Sequence, residues 1–191
     1  KAGLSVCRHI NPTRIHIEIS EGRVFLDKLN ICAFTGHRPH RFPFGYNETD
    51  PRCLVLKANI ENGIKELSGQ GVRMFITGMA LGVDMWAAES VYRLKDEGYD
   101  IKLLCALPCA NFDSRWTHDM QRRGRGIIER ADRTVTLART YYPACMLRRD
   151  MWMADRADVL LAVLNGSHAS KPDRVSGGTA FTVDYALSKE K

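Results

Sequence analysis

Apolar runs that end in glycine-bearing turns recur along this chain, and that recurrence limits its fold more than any other feature. Asn30-Ile31-Cys32-Ala33-Phe34 leads into Thr35-Gly36-His37-Arg38-Pro39. Val72-Arg73-Met74-Phe75-Ile76 leads into Thr77-Gly78-Met79-Ala80-Leu81-Gly82-Val83-Asp84. Val159-Leu160-Leu161-Ala162-Val163-Leu164 is followed, after a polar loop, by Ser176-Gly177-Gly178-Thr179. Runs of this length, closed by glycine and followed by helical spacing, read as buried parallel strands feeding helices. In such sheets ligands lie off the carboxyl ends of the strands, where glycine lets backbone amides approach an anion. Several such turns converging in one fold imply a pocket for a phosphate-bearing small molecule.

The same rhythm holds from residue 30 onward. The pattern predicts strands at 31–35, 72–77, 101–107, 134–137 and 159–164, with helices at about 51–68, 83–97, 114–131, 144–156 and 178–189. In the first helix Leu54, Ala58, Ile60, Ile64 and Leu67 recur at near-helical spacing, and Gly69-Gln70-Gly71 stops it. Ser114 is the expected cap of the third. Alternation of this kind predicts an α/β sandwich with a mainly parallel sheet. Residues 1–29 look different: Ile15, Ile17 and Ile19 alternate with His16 and Glu18, and Ser20-Glu21-Gly22 separates them from Arg23-Val24-Phe25-Leu26. That is the pattern of a short β-hairpin. The expected organisation is an N-terminal extension at 1–29 and a main domain at 30–191.

Composition bounds the rest. A chain of 191 residues suits one domain with a substantial core. Six cysteines raise the question of disulfides or metal, but Cys32 and Cys105 fall inside apolar runs and no Cys-x-x-Cys occurs. Cys7-x-His9 has no second pair at zinc spacing, so reduced cytosolic thiols, with no metal and no cofactor, are the expectation. No apolar stretch reaches membrane-spanning length and no secretory signal pattern is visible, so the expected location is cytoplasmic. The net charge of +6 is compatible with nucleotides, nucleic acid or neither.

Each motif has a chemical and a plain reading. In the turn from Thr77 to Asp84 the glycines and the first helical amides suit phosphate, yet the glycines equally permit close helix–strand packing. No Gly-Lys-Ser/Thr follows, so it is not a P-loop. Asp84 can accept from a ribose hydroxyl, cap the helix or fix the loop. Thr35, Gly36, His37 and Arg38 offer a hydroxyl, a bare backbone, an imidazole and a guanidinium for phosphate or ribose, against a plain solvated loop. Gly177, Gly178 and Thr179 open the last helix, and their amides and hydroxyl again suit an anion. Met146, Arg149 and Met153 share a helical face, which reads as core methionines beside a surface or interface arginine. Arg122, Arg123, Arg125 and Arg130 read as a solvated basic face more readily than as a nucleic-acid groove. Trp86, Trp116 and Trp152 read as packing residues. Glu89, Asp113 and Asp119 are acid–base candidates on position alone.

Taken together, these residues resemble the SLOG superfamily, named for Smf/DprA and Lonely Guy proteins, and within it the YpsA-like branch. The likeness runs through Thr35-Gly36-His37-Arg38, Thr77-Gly78-x-Ala80-x-Gly82-Val83-Asp84 with Ala87 and Ala88, Arg148-Arg149-Asp150-x-x-Met153 with Ala157-Asp158, and Gly177-Gly178-Thr179. It spans about residues 30–188. It implies a Rossmann-like three-layer sandwich whose strand-end loops bind a nucleotide or nucleotide-derived ligand, with Thr35, Gly36, His37, Arg38, Gly78, Ala80, Gly82, Asp84, Gly177, Gly178 and Thr179 as the binding set. Lonely Guy enzymes of that superfamily split a base from a nucleoside monophosphate with an Arg-Lys pair and a Glu after the last glycine loop. Arg149 matches their Arg, but Asp150 stands at the Lys position and Thr182 at the Glu position. Thr cannot serve as a carboxylate, and Asp184 sits two positions along the helix and so faces elsewhere. Catalysis would have to draw on Arg149 with Asp84 or Glu89. The expectation is therefore a sensor or regulator binding a nucleotide-like small molecule. A nucleotide phosphoribohydrolase, or other N-glycosidic hydrolase, is the alternative, and DprA-like single-stranded DNA binding ranks third. The likeness also admits a homodimer.

Overall fold

The computed structural model describes residues 4–10, 17–20, 23–26, 30–165 and 177–188. The glycine- and serine-bearing loop expected between the last strand and the last helix, with Gly166 and Ser176, lies outside the described residues.

Apolar residues on both faces of successive strands produce a sheet covered by helices on each side. In chain order the elements are β1 (Leu4–Ile10), β2 (Ile17–Ser20), β3 (Arg23–Leu26), β4 (Ile31–Gly36), α1 (Pro51–Gly69), β5 (Met74–Thr77), α2 (Val83–Asp96), β6 (Lys102–Leu107), α3 (His118–Arg130), β7 (Arg133–Thr136), α4 (Cys145–Ala154), β8 (Val159–Asn165) and α5 (Gly178–Ser188). The main sheet has the order β1-β8-β4-β5-β6-β7. Its last five strands run parallel, and β1 joins β8 antiparallel, Leu4 opposite Asn165 and Ile10 opposite Val159. The expected hairpin is present as β2 and β3, paired from Ile17–Leu26 to Ser20–Arg23. The sequence reading did not find β1.

Strand alternation sorts the core into two layers. Cys32, Phe34, Phe75, Leu103, Cys105, Leu161 and Val163 share one layer with Leu56, Ile60, Ile64, Trp86 and Val91 of α1 and α2. Ala33, Ile76, Ala106, Leu160 and Ala162 share the other with Met153 of α4 and, half-buried, Val183 and Ala186 of α5. The small residues of this second face let α4 and α5 lie close to the strands.

Helix boundaries follow local chemistry. Asp50 caps α1 by accepting from the Arg52 amide at 2.8 Å, and Gly71 (φ +105°) turns the chain away after it. Gly98 (φ +94°) does the same after α2. Helix α3 begins later than expected: its cap is Thr117, whose hydroxyl accepts from the Met120 amide, and not Ser114. Residues 111–116 form irregular structure with Phe112 set edge-on to Trp116, ring centroids 5.3 Å apart.

Cys32, Cys53, Cys105, Cys109 and Cys145 are all buried as free thiols. Burial pushes the Cys105 thiol up to about 12 and raises that of Cys32 against a backbone hydrogen bond. Because a buried sulfur is out of a reagent's reach, none of these five should react with an aromatic disulfide reagent in native buffer, and all should react in denaturant. Mass mapping of the labelled cysteines checks this, and fast native labelling of any of the five would contradict it.

Candidate functional site

Strand order places a site before any side chain is considered. From β4 the chain steps through β5, β6 and β7 to one side, then returns with β8 on the other. The loops after β4 and β8 therefore diverge, and the carboxyl ends of these strands border a crevice. A cavity of about 340 Å³ opens there.

Its walls come from four segments. Thr35, Gly36, His37 and Arg38 continue from the end of β4, with His40 and Arg41 from the 3-10 turn at Pro39–Arg41. Ala80 and Asp84 come from the turn into α2, Met146, Arg149 and Asp150 from α4, and Gly177, Gly178 and Thr179 from the start of α5. Thr35, His37 and Thr179 are buried, whereas Arg38 is exposed and Gly177 and Gly178 are open to solvent. Gly177 has φ +125°, a conformation that favours glycine where the chain turns into α5. The positive end of that helix faces the cavity.

Gly78 and Gly82 belong to the expected binding set but do not line the cavity. A Cβ on Gly78 would lie 2.7 Å from the Arg149 guanidinium, and one on Gly82 would lie 2.9 Å from Pro39 Cδ and 3.0 Å from the His37 carbonyl. Gly82 also holds φ +95°. For these two glycines close packing is the observed role. The turn is braced from within: Thr77 Oγ1 donates to the Asp84 carbonyl at 2.9 Å and accepts from the Met79 amide at 3.2 Å. Asp84 Oδ2 accepts from the Ala80 amide at 3.3 Å, so its carboxylate fixes the loop.

Arg149 is buried, not a surface charge. Its Nε donates to Asp150 Oδ1 at 2.8 Å, its Nη2 lies 2.7 Å from the same oxygen, and its Nη1 donates to the Gly78 carbonyl. Those bonds tie α4 to the end of β5 and occupy most of the guanidinium. Burial pushes the Asp84 carboxyl up to about 6, against the attraction of Arg149 and with the repulsion of Asp150. Burial likewise raises Asp150, opposed by Arg149, Arg38 and Thr182. Thr182 donates to the Gly178 carbonyl at 2.7 Å, closing the first turn of α5. The cavity thus combines three guanidinia, of Arg38, Arg41 and Arg149, with two reluctant carboxylates.

Other candidates lie elsewhere. Glu89 is bound to Arg123 at 2.5 and 2.7 Å, away from the cavity. Arg123 also grips Glu48, at 2.6 and 3.0 Å. Burial disfavours the Glu48 charge, but hydrogen bonds from Arg123 and Lys57 outweigh it and bring its carboxyl down to about 2. Arg122 pairs with Asp119, and Arg130 with Asp96, so much of the basic cluster is neutralised within the fold. Asp158 accepts from the Asn30 and Ile31 amides, fixing the opposite end of β4. Trp86 is fully buried against Phe42 and Phe44, as expected of a packing residue. Trp116 is not wholly one: with Phe112 and Tyr141 it lines a second cavity, of about 510 Å³, beside the first. Sequence reasoning missed this wall because its aromatics come from two irregular segments without periodicity. Among the described residues no group of three His, Cys, Asp or Glu side chains could hold a metal ion, and no helix is long and apolar enough to cross a membrane.

A doubly wound α/β sheet with a charged, glycine-lined crevice at its strand ends defines a Rossmann-like protein. The family model described as the YspA SLOG family matches residues 32–181, and the chain belongs to that family. It is 29% identical over 139 residues to a UPF0398 protein of Oceanobacillus iheyensis, covering 72% of this chain and 74% of that one. It is 26% identical over 162 residues to a UPF0398 protein of Bacillus pumilus, covering 83% and 86%. To UPF0398 protein YpsA of Bacillus subtilis it is 24% identical over 152 residues, covering 78% and 83%.

Proposed function

We propose that this protein binds a nucleotide or nucleotide-derived anion in the strand-end cavity and acts as a sensor or regulator. The observation that carries the reading is the convergence of the Thr35–Arg38 turn and the start of α5 on one crevice where the strand order reverses. A phosphate there would meet glycine-exposed backbone, the positive end of α5 and the Arg38 guanidinium. Arg38 is a better grip than Arg149, which already serves Asp150 and Gly78.

A panel of nucleoside monophosphates, cyclic nucleotides and dinucleotides tests this by thermal shift. A ligand at a hundred times its Kd stabilises the fold by about 2.7 kcal/mol. For a chain of this size that raises Tm by roughly 5–10 °C. Arg38→Ala should abolish the shift while leaving the Tm of the free protein within about 1 °C, since exposed side chains contribute little. No shift with any nucleotide at saturating concentration would refute the reading.

N-glycosidic hydrolysis is the second reading, favoured by the two cavity carboxylates, whose proton affinity burial raises. Asp84 or Asp150 would supply the carboxylate that Thr182 cannot. Chromatography of each binding mixture separates the readings: intact nucleotide supports a sensor, and free base an enzyme.

A further inference from the structure

The two cavities share a wall. Arg38, Ala80, Met146 and Arg149 line both, so the spaces of about 340 and 510 Å³ meet along one side of α4 and the end of the β4 turn. Their outer walls differ. The first is lined by glycine backbone, hydroxyls and charge. The second is lined by Phe112, Trp116 and Tyr141, with Asn111, Ser114 and Arg115 around them.

We propose that the second cavity is a ring-binding compartment, and that the ligand is a dinucleotide: two nucleoside units joined through a pyrophosphate that passes Arg38. This inference rests on the nucleotide reading of the first cavity and specifies its ligand.

Size supports two units. The first cavity alone has the volume that a small phosphorylated ligand needs, and the second is larger. A mononucleotide seated at the strand ends leaves the aromatic wall unused. Chemistry supports a ring as the second occupant. The edge-to-face pair of Phe112 and Trp116 is half-buried and packed on the core. A Cβ on Gly124 would come within 3.1 Å of the Trp116 ring, so the absence of a side chain there lets the indole approach α3 closely. Tyr141 keeps 59% of its surface exposed, so its ring is open to a ligand seated in this cavity. Aromatic walls with a guanidinium and an amide nearby suit a heterocycle, which stacks on the rings and hydrogen-bonds at its edge. Arg38 stands at the junction, where the linking phosphates of such a ligand would pass.

Calorimetric titration of the whole protein with AMP, ADP-ribose, NAD and diadenosine pyrophosphate tests the proposal. ADP-ribose carries one base and a pyrophosphate, whereas the last two carry a second base. The expected result is at least about tenfold tighter binding of NAD or diadenosine pyrophosphate than of ADP-ribose. Tyr141→Ala and Arg115→Ala alter exposed positions and should erase that advantage without changing the affinity for AMP. Equal affinity for ADP-ribose and the two-base ligands, or an advantage untouched by Tyr141→Ala, would overturn the second compartment while leaving nucleotide binding intact. If none of the four binds, the dinucleotide proposal falls, and the wider nucleotide panel decides the reading of the first cavity.

Discussion

Arg149→Ala should cost the fold about 3–5 kcal/mol near pH 8 and distinctly less near pH 5. The guanidinium is the nearest positive charge to two buried or half-buried carboxylates, and its removal leaves both without their main partner. The pH dependence follows from proton counting. Asp84 titrates at about 6 in the fold against 3.8 when unperturbed, so between roughly pH 4 and pH 6 the folded state holds more protons than the unfolded one. Stability therefore falls as pH rises through that window. Without Arg149 the folded values of Asp84 and Asp150 move higher, and the window extends upward. The deficit is then small where folded Asp84 is protonated with or without the arginine, and large where folding must bury it charged. Urea denaturation of the wild type, Arg149→Ala and Arg149→Met at the two pH values measures it. Equal deficits at pH 5 and pH 8 would mean that the arginine acts through packing alone, and Arg149→Met would then restore most of the loss. Loss of ligand binding in Arg149→Ala would not by itself identify Arg149 as a ligand contact.

Gly36→Ala should destabilise the protein by about 3 kcal/mol, while Gly126→Ala should stabilise it by about 0.5–1 kcal/mol. The contrast comes from what each new methyl group would meet. At Gly36 a Cβ falls 2.5 Å from Val83 Cβ and within 2.6 Å of both its methyls. Val83 opens α2 and is fully buried, so neither backbone can retreat without shifting the helix or the strand end. At Gly126, inside α3, a Cβ meets nothing within 4 Å, and only the entropy of the unfolded chain changes. Denaturant midpoints at constant m-value provide the comparison. A Gly36→Ala protein as stable as the wild type would show that β4 and α2 are less closely apposed than described.

The layered sheet was legible from the sequence because fully buried strands need continuous apolar runs, and 31–35, 72–77 and 159–164 supply them. Strand β1 was not. A strand paired along one side only need not be apolar throughout, and the alternation of Ile15, Ile17 and Ile19 drew attention to the hairpin instead. At the site, the loop residues Thr35 to Arg38 and the start of α5 could be read because a strand end fixes where the next residues go. Gly78 and Gly82 carried the same signature, but bare backbone serves a ligand and a packed neighbour equally. Sequence could not show that Arg149 and Pro39 fill the space beside them. Burial of Arg149 was equally hidden: a guanidinium on a helical face looks solvated until the carbonyl of Gly78, distant in the chain, meets it. The Trp116 and Tyr141 wall depends on two irregular stretches folding toward each other, for which no local pattern exists.

Strand β1 also decides which strand forms one border of the main sheet. The family match begins at residue 32, so the strand that pairs along β8 comes from outside the matched stretch. Without it, the backbone donors and acceptors of an apolar strand, Val159–Asn165, would stand unpaired at a sheet border and invite another chain to add on. At the other border β7 is only four residues long and carries Arg133, which discourages such addition. The N-terminal residues thus satisfy the backbone of β8 and carry the sheet border outward to β1, a duty separate from anything the crevice does.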